Sequence, residues 1–259
     1  MESLSQAGRA PFSALLYHYI GPVDHELCRG LTVLPEAFAS QVRGLSAMGY
    51  SSITLSQIAD PSQSIPDRSL LFTFDDAYEA LETFAFPVLE KAGFRAAVFV
   101  PTALIGGSIP CSPRSNESTL RVMTADRIAY WASRGFEFAA HTRTHADLTA
   151  LEPRQIEEEV AGSRDDLAAI TGGPVVAFAY PYGRFDVRSA NIVNDFFPIA
   201  FTVESGMNDA GTPLNMLRRS MVQHSDSVVD VCLRARYGSS VFERLKTKAA
   251  AVIRGEPSS

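Results

Sequence analysis

Short apolar runs bounded by Gly, Pro or polar residues alternate along the chain with stretches whose apolar positions recur at helical spacing. Ser13-Ala14-Leu15-Leu16-Tyr17-His18-Tyr19, between Pro11 and Gly21, reads as a buried first strand that ends on a histidine. A loop over 21–34 leads to a helix over 35–45, closed near Gly49, and residues 51–55 read as a short edge strand. After a Pro/Ser connection over 61–67, residues 70–74 form the next strand and 78–91 a single helix stopped by Gly93. The wholly apolar run 96–100 predicts a strand buried on both faces, and 105–118, which has no periodicity, predicts a loop. A helix capped by Thr124 and ending at Ser133 leads to a strand over 136–140 that runs into His141. Residues 153–170 are an acidic amphipathic helix whose charges are expected to form a solvated face. Strands over 175–180, 199–203 and 219–222, helices near 187–196, 226–235 and 240–252, and a frayed tail over 255–259 complete the pattern.

Strands near 13, 70, 96, 136, 175, 199 and 219, mostly separated by helices, imply an α/β fold with a parallel sheet curled into a closed or nearly closed barrel. Active sites of such folds sit at the C-terminal ends of the strands. With 259 residues, 46% of them apolar, and no visible linker, 1–259 reads as one domain with its core over 13–222. A net charge of −6 without a Lys/Arg-rich run argues against nucleic acid and anionic membrane surfaces as partners. No stretch of 18 continuous apolar residues occurs, so no integral membrane segment is expected. The scattered Cys28, Cys111 and Cys232 read as free thiols of a reducing compartment. A cytoplasmic location is expected if the chain is full length, and an extracytoplasmic one if a leader has been removed.

Chemistry concentrates at Asp75-Asp76, where the second strong strand ends. Neighbouring side chains on a strand point to opposite faces, but a backbone turn at the strand end lets both acids reach one pocket. Taken alone, the pair reads first as the cap of a helix N-terminus and only second as a site. His141-Thr142-Arg143-Thr144-His145 carries two of the chain's five histidines directly after a strand. In a helical turn that i, i+4 spacing would place both imidazoles on one face, and with Asp76 or Asp75 it would make a His, His, Asp set with a position left for water.

Thr73-Phe74-Asp75-Asp76, then His141-Thr142-Arg143-Thr144-His145, then Tyr180-Pro181-Tyr182-Gly183 resembles, in order, spacing and flanking strands, the first three motifs of the polysaccharide deacetylases of carbohydrate esterase family 4, the NodB-homology group. The resemblance implies a distorted (β/α)7 barrel and a metal-dependent carbohydrate N-deacetylase. It implies Asp75 as catalytic base and Asp76, His141 and His145 as ligands of one divalent metal ion. Zinc suits that donor set, and nickel, cobalt and iron fit it too. One carboxylate must stay on the cation while its neighbour takes a proton from water whose pKa the cation has lowered. The resemblance places an oxyanion-binding backbone N–H at Tyr182.

The acid that protonates the departing amine lies in this family in a Leu-x-His motif, normally near the C-terminus. Here Leu16-Tyr17-His18 sits on the first strand, which resembles the circularly permuted poly-N-acetylglucosamine deacetylases, and His224 in Val222-Gln223-His224 is the rival. A histidine ending an apolar strand needs a polar partner or a function, which favours His18. The Arg that opens the third motif in the family is replaced by Ala179, and the permuted members resemble this chain in carrying an Arg on the last strand, here Arg219. Ala77 replaces the usual Gly after the acidic pair, and Tyr78 is either a sugar-stacking aromatic or a buried helix start. The expected substrate is an N-acetylated carbohydrate in a glycan or its precursor. The alternatives are an amidase on a small non-polymeric amide and a non-catalytic sugar-binding barrel.

Overall fold

The structure, a computed structural model, describes residues 10–240 apart from 23–25, 61 and 113–114. Strand β1 (Ser13–Tyr17) is followed by the small parallel pair β2 (Tyr19–Ile20) and β3 (Thr32–Val33), then by helix α1 (Pro35–Ala47), β4 (Ser51–Ser52) and α2 (Leu55–Ala59). Next come β5 (Ser69–Asp75), the short helices α3 (Leu81–Phe84) and α4 (Phe86–Lys91), and β6 (Ala96–Val100). A hairpin of β7 (Ser108–Ser112) and β8 (Ser115–Arg121) precedes α5 (Ala125–Ser133), β9 (Glu137–Ala140) and the long α6 (Pro153–Thr171). The chain then alternates through β10 (Ala177–Ala179), α7 (Val187–Phe196), β11 (Ile199–Phe201), β12 (Ser220–Met221) and α8 (Val228–Tyr237).

The main sheet runs β11-β10-β9-β6-β5-β1-β12, with every pairing parallel and β4 added beside the start of β5. Its two ends approach each other through one segment: Leu217 bridges to Phe201 of β11, and Ser220 and Met221 pair with Leu15 and Leu16 of β1. The curled parallel sheet with its outer helices is the nearly closed (β/α) barrel that the strand count implies.

Alternation along the strands creates two cores. On β5, Leu70, Phe72 and Phe74 face the helices, where they meet Tyr17 of β1, Phe38 of α1 and Phe94, whereas Leu71 faces the barrel interior with Ala97, Phe99, Ala139, Ala177, Ala179 and Phe201. Each aromatic ring taken out of water contributes about 2–3 kcal/mol, so the register of β5 is strongly fixed. A slip by one residue would turn Asp75 outward. Among the described residues, no helix is long and apolar enough to cross a membrane.

Several expectations are corrected. The helix over 78–91 is broken at Ala85, because Pro87 offers no N–H and its ring crowds the carbonyl four residues back. The supposed loop over 105–118 is the β7–β8 hairpin, in which Ile109 pairs with Leu120 among polar neighbours, too few apolar positions to show a period of two. Cys28 and Cys111 are joined in a disulfide across 83 residues, leaving Cys232 as the free cysteine. Spacing conceals such a contact, and an odd count is compatible with one bridge and one thiol. The acidic face of α6 is partly engaged rather than solvated, since Glu159 and Asp166 bond to the segment around Arg143. All but the first residue of the helix expected over 240–252, the tail, His25 and the first nine residues lie outside the described residues.

Candidate active site

The site gathers at the C-terminal ends of β1, β5, β9 and β10, with Arg219 reaching in from the start of β12. Asp75 is the last residue of β5, on the face that Leu71 and Thr73 present to the barrel interior. Arg219, just before β12 and fully buried, holds it in a bidentate pair, Nη1 to Oδ1 at 2.5 Å and Nη2 to Oδ2 at 2.9 Å. Arg219 Nε donates to the Thr202 carbonyl at 3.0 Å, and the guanidinium lies 5.1 Å from the ring centre of Phe99. Burial pushes the Asp75 carboxyl up, but the Arg219 charge, with those of His141 and His18, outweighs it and brings the group down to about 2. Asp75 is therefore a carboxylate throughout the neutral range.

Asp76 is presented by a different device. Its φ of 71° and that of Ala77, 50°, turn the chain sharply, which brings two consecutive side chains to one side. Tyr78 Oη donates to Asp76 Oδ2 at 2.8 Å. The other oxygen, Oδ1, is buried without a hydrogen-bond partner among the described residues, 3.3 Å from His145 Nε2 and 3.9 Å from His141 Nε2. His141 Nδ1 lies 2.7 Å from the Ala179 carbonyl, which can only accept, so Nδ1 carries the proton and Nε2 presents a lone pair. Burial holds His141 down to about 4, hence neutral. His145 Nδ1 stands 3.1 Å from Tyr182 Oη.

Asp76, His141 and His145 thus each turn a donor atom toward a common point, all within 4.8 Å of one another. Two ligands about 2.1 Å from one ion at a tetrahedral angle stand about 3.4 Å apart, close to these separations. An orphaned carboxylate oxygen facing a neutral imidazole lone pair is costly unless a cation satisfies both, so the residues present fit a divalent metal.

The histidines do not meet through a helical turn. Residues 141–145 form an irregular bend with Thr142 at φ 63° and His145 at φ 60°, which brings the ring centres to 4.9 Å. The turn after β10 places Tyr182 at φ 59° beside Gly183, where a Cβ would lie 2.2 Å from a Val203 methyl, so only glycine fits there. Tyr182 packs its half-exposed ring edge-on to His145, with 4.6 Å between centres.

His18 follows β1, whose Tyr17 pairs with Phe74, so the register sets it beside Asp75, on which its charge acts. His224 Nδ1 instead lies 3.2 Å from the Thr32 carbonyl. Ala179 contributes a backbone acceptor to His141 rather than a cation. Tyr78 is buried at the turn with its hydroxyl on Asp76, a role that neither a stacking aromatic nor a helix start describes. Its position two residues after Asp76 was the only sequence signal. For Glu159 there was none, since one acid among many on α6 has no distinguishing period.

Known proteins match the chain in sequence family and in fold. A family model, polysaccharide deacetylase, matches residues 62–196. The chain is 28% identical over 221 residues to YxkH of Bacillus subtilis, a protein named for the same family, covering 82% of this chain and 72% of that one. The crystal structure of BC0361, a polysaccharide deacetylase from Bacillus cereus, superposes with a TM-score of 0.72 at 26% identity, covering 85% of this chain and 67% of that one. The deacetylase PplD from Streptococcus pyogenes shares the fold, with a TM-score of 0.76 at 22% identity over 88% of this chain and 98% of its own.

Proposed function

The chain belongs to the polysaccharide deacetylase family, and from that premise we propose that it hydrolyses the N-acetyl group of an N-acetylated sugar with the help of one divalent metal ion. The observation that carries this reading is the pairing of two unlike carboxylates: Asp75 clamped by buried Arg219, and Asp76 with an unpartnered oxygen facing two histidines. A metal held by Asp76, His141 and His145 would supply Lewis acidity toward the acetyl carbonyl and lower the pKa of water beside it. Zinc suits the three donors.

Each protein group then has a task. Asp75, kept ionised and oriented by Arg219, accepts the proton of the attacking water as its oxygen bonds to the acetyl carbon. The backbone N–H of Tyr182 holds the oxyanion that develops. His18 delivers a proton to the nitrogen as the C–N bond breaks, leaving acetate and a free amine. The Cys28–Cys111 disulfide belongs with an oxidising compartment, which favours a glycan outside the cytoplasm over a cytoplasmic precursor.

The test is acetate release from a panel of N-acetylated sugars together with metal analysis. Asp76→Ala loses the metal, while Asp75→Asn keeps it and loses roughly 10²–10⁴-fold in turnover. Normal metal content and activity in both variants sinks the assignment. His18→Ala is nearly inactive and His224→Ala is not, and the reverse moves the acid to His224.

A further inference from the structure

The bend that carries His145 is held from outside by α6. Glu159 Oε2 accepts from the backbone N–H of Arg143 at 2.7 Å and of Thr144 at 2.9 Å, and its Oε1 accepts from the Thr144 hydroxyl at 2.8 Å. All three bonds fall between the two histidines. Seven residues along the same helix, Asp166 Oδ2 accepts from Arg143 Nε at 3.0 Å and from the Thr102 hydroxyl at 2.7 Å. Between them, Gly162 is a helix-interior glycine, an unfavourable choice for the helix itself. A Cβ there would lie 2.5 Å from Arg143 Cδ, so the glycine leaves room for Arg143 to lie across the helix toward Asp166. Residues 159, 162 and 166 share one helical face.

The bend also needs holding. Thr142 and His145 sit in the left-handed region, at φ 63° and 60°, a conformation that branched and ring-bearing side chains adopt only when the surroundings impose it. Two further backbone bonds, from Thr102 N to the Thr142 carbonyl and from Ala103 N to the Arg143 carbonyl, fix one side of the segment, and Glu159 fixes the other. We propose that the Glu159, Gly162 and Asp166 face of α6 is a positioning device that sets His145 at its distance from Asp76, with Glu159 its principal residue. It touches neither substrate nor metal. It acts by making a strained backbone the ground state, so that the second imidazole arrives already aimed.

The inference rests on the metal reading above, and the experiment separates the two. The dissociation constant for zinc, measured by chelator competition, is compared with the unfolding midpoint of the metal-free protein for the wild type, Glu159→Gln, Gly162→Ala and the exposed control Glu157→Gln. Glu159→Gln and Gly162→Ala are expected to weaken zinc binding ten- to a hundredfold, the size usual for partners behind a metal ligand, with metal-free midpoints close to wild type. A merely structural role for Gly162 would lower the metal-free midpoint through the clash with Arg143, against the gain of a better helix former, and leave affinity alone. Native affinity in both variants overturns the proposal, as does weakening that appears only where the metal-free midpoint falls, or equally in Glu157→Gln. If the wild type itself binds no divalent ion, it is the metal reading that fails.

Discussion

Asp75 and Asp76 are consecutive, yet they belong to two differently built halves of the site. The Asp75 half is made from strands. Its carboxylate ends β5, Arg219 precedes β12, and Phe99 and Phe201, from β6 and β11, flank the guanidinium. The Asp76 half is made from turns, with Asp76, Thr142, His145 and Tyr182 all at positive φ. The first half gains its precision from the sheet ladder and from a closed salt bridge, and is complete without any added group. The second spends backbone strain to converge its donors, and is left with an oxygen that nothing among the described residues satisfies. A proton acceptor needs only orientation, whereas an ion site needs several lone pairs aimed at one point, which the alternating geometry of strands does not readily provide.

The largest expected effect falls on the strand-built half. Arg219→Met removes the one side chain that, among the described residues, hydrogen-bonds a carboxylate that is 3% exposed, and leaving a buried charge uncompensated costs about 3–5 kcal/mol. Urea unfolding with divalent ions chelated measures it, and a loss below about 1 kcal/mol would mean that solvent reaches Asp75. The same pair has a pH signature. The folded pKa of Asp75 is about 2 against an ordinary 3.8, so the stabilisation is present above the ordinary value and lost as pH falls through about 2. The difference is worth roughly 2 kcal/mol. In Arg219→Met burial dominates and raises the group, so its contribution reverses, present at low pH and lost as pH rises. Parallel stability-versus-pH curves for the two proteins would show that Arg219 does not set the ionisation of Asp75.

A smaller effect belongs to the turn-built half. Tyr78→Phe removes the donor to Asp76 Oδ2 and leaves the carboxylate freer to rotate away from the histidines. Metal affinity is expected to fall about tenfold, at the low end for a partner of a metal ligand, with little change in turnover at saturating metal. Equal metal affinity in both proteins would assign the orientation of Asp76 to its backbone alone.

The two halves were also unequally legible in the sequence. The strands β1, β5, β6 and β9 stand out as apolar runs, and once their ends align, Asp75 and His18 fall into place by register, whereas Arg219, level with Ala14 of β1, reaches Asp75 through the length of its side chain. The motif residues Asp76, His141, His145 and Tyr182 were readable as residue types at a spacing, but how they converge was not, because a positive φ leaves no trace when the residue is not glycine. The helical turn expected over 141–145 failed for that reason. The β7–β8 hairpin was hidden by polar positions on both strands, and the disulfide by the distance between Cys28 and Cys111. The engagement of α6 was hidden differently: the acids facing water and the acids facing the bend between His141 and His145 have the same side chain, and only the packed position of the helix separates Glu159 from Glu157.

The smallest effect is the most direct test of the contrast between the halves. Ala77 is fully buried at φ 50°, in a position where a left-handed conformation costs an L-residue about 1–2 kcal/mol. Ala77→Gly relieves that strain, while losing roughly 0.8 kcal/mol of buried methyl and about 0.5–1 kcal/mol to a more flexible unfolded chain. The terms nearly cancel, and the variant is expected within about 0.5 kcal/mol of wild type. Ala97, equally buried but on β6 in the strand-built core, has no strain to release, so Ala97→Gly pays both losses, about 1.5 kcal/mol. Unfolding both variants side by side decides the matter. If Ala77→Gly is as destabilising as Ala97→Gly, the turn after the acidic pair stores no strain, and the convergence of Asp76 on the histidines must come from side-chain bonding instead.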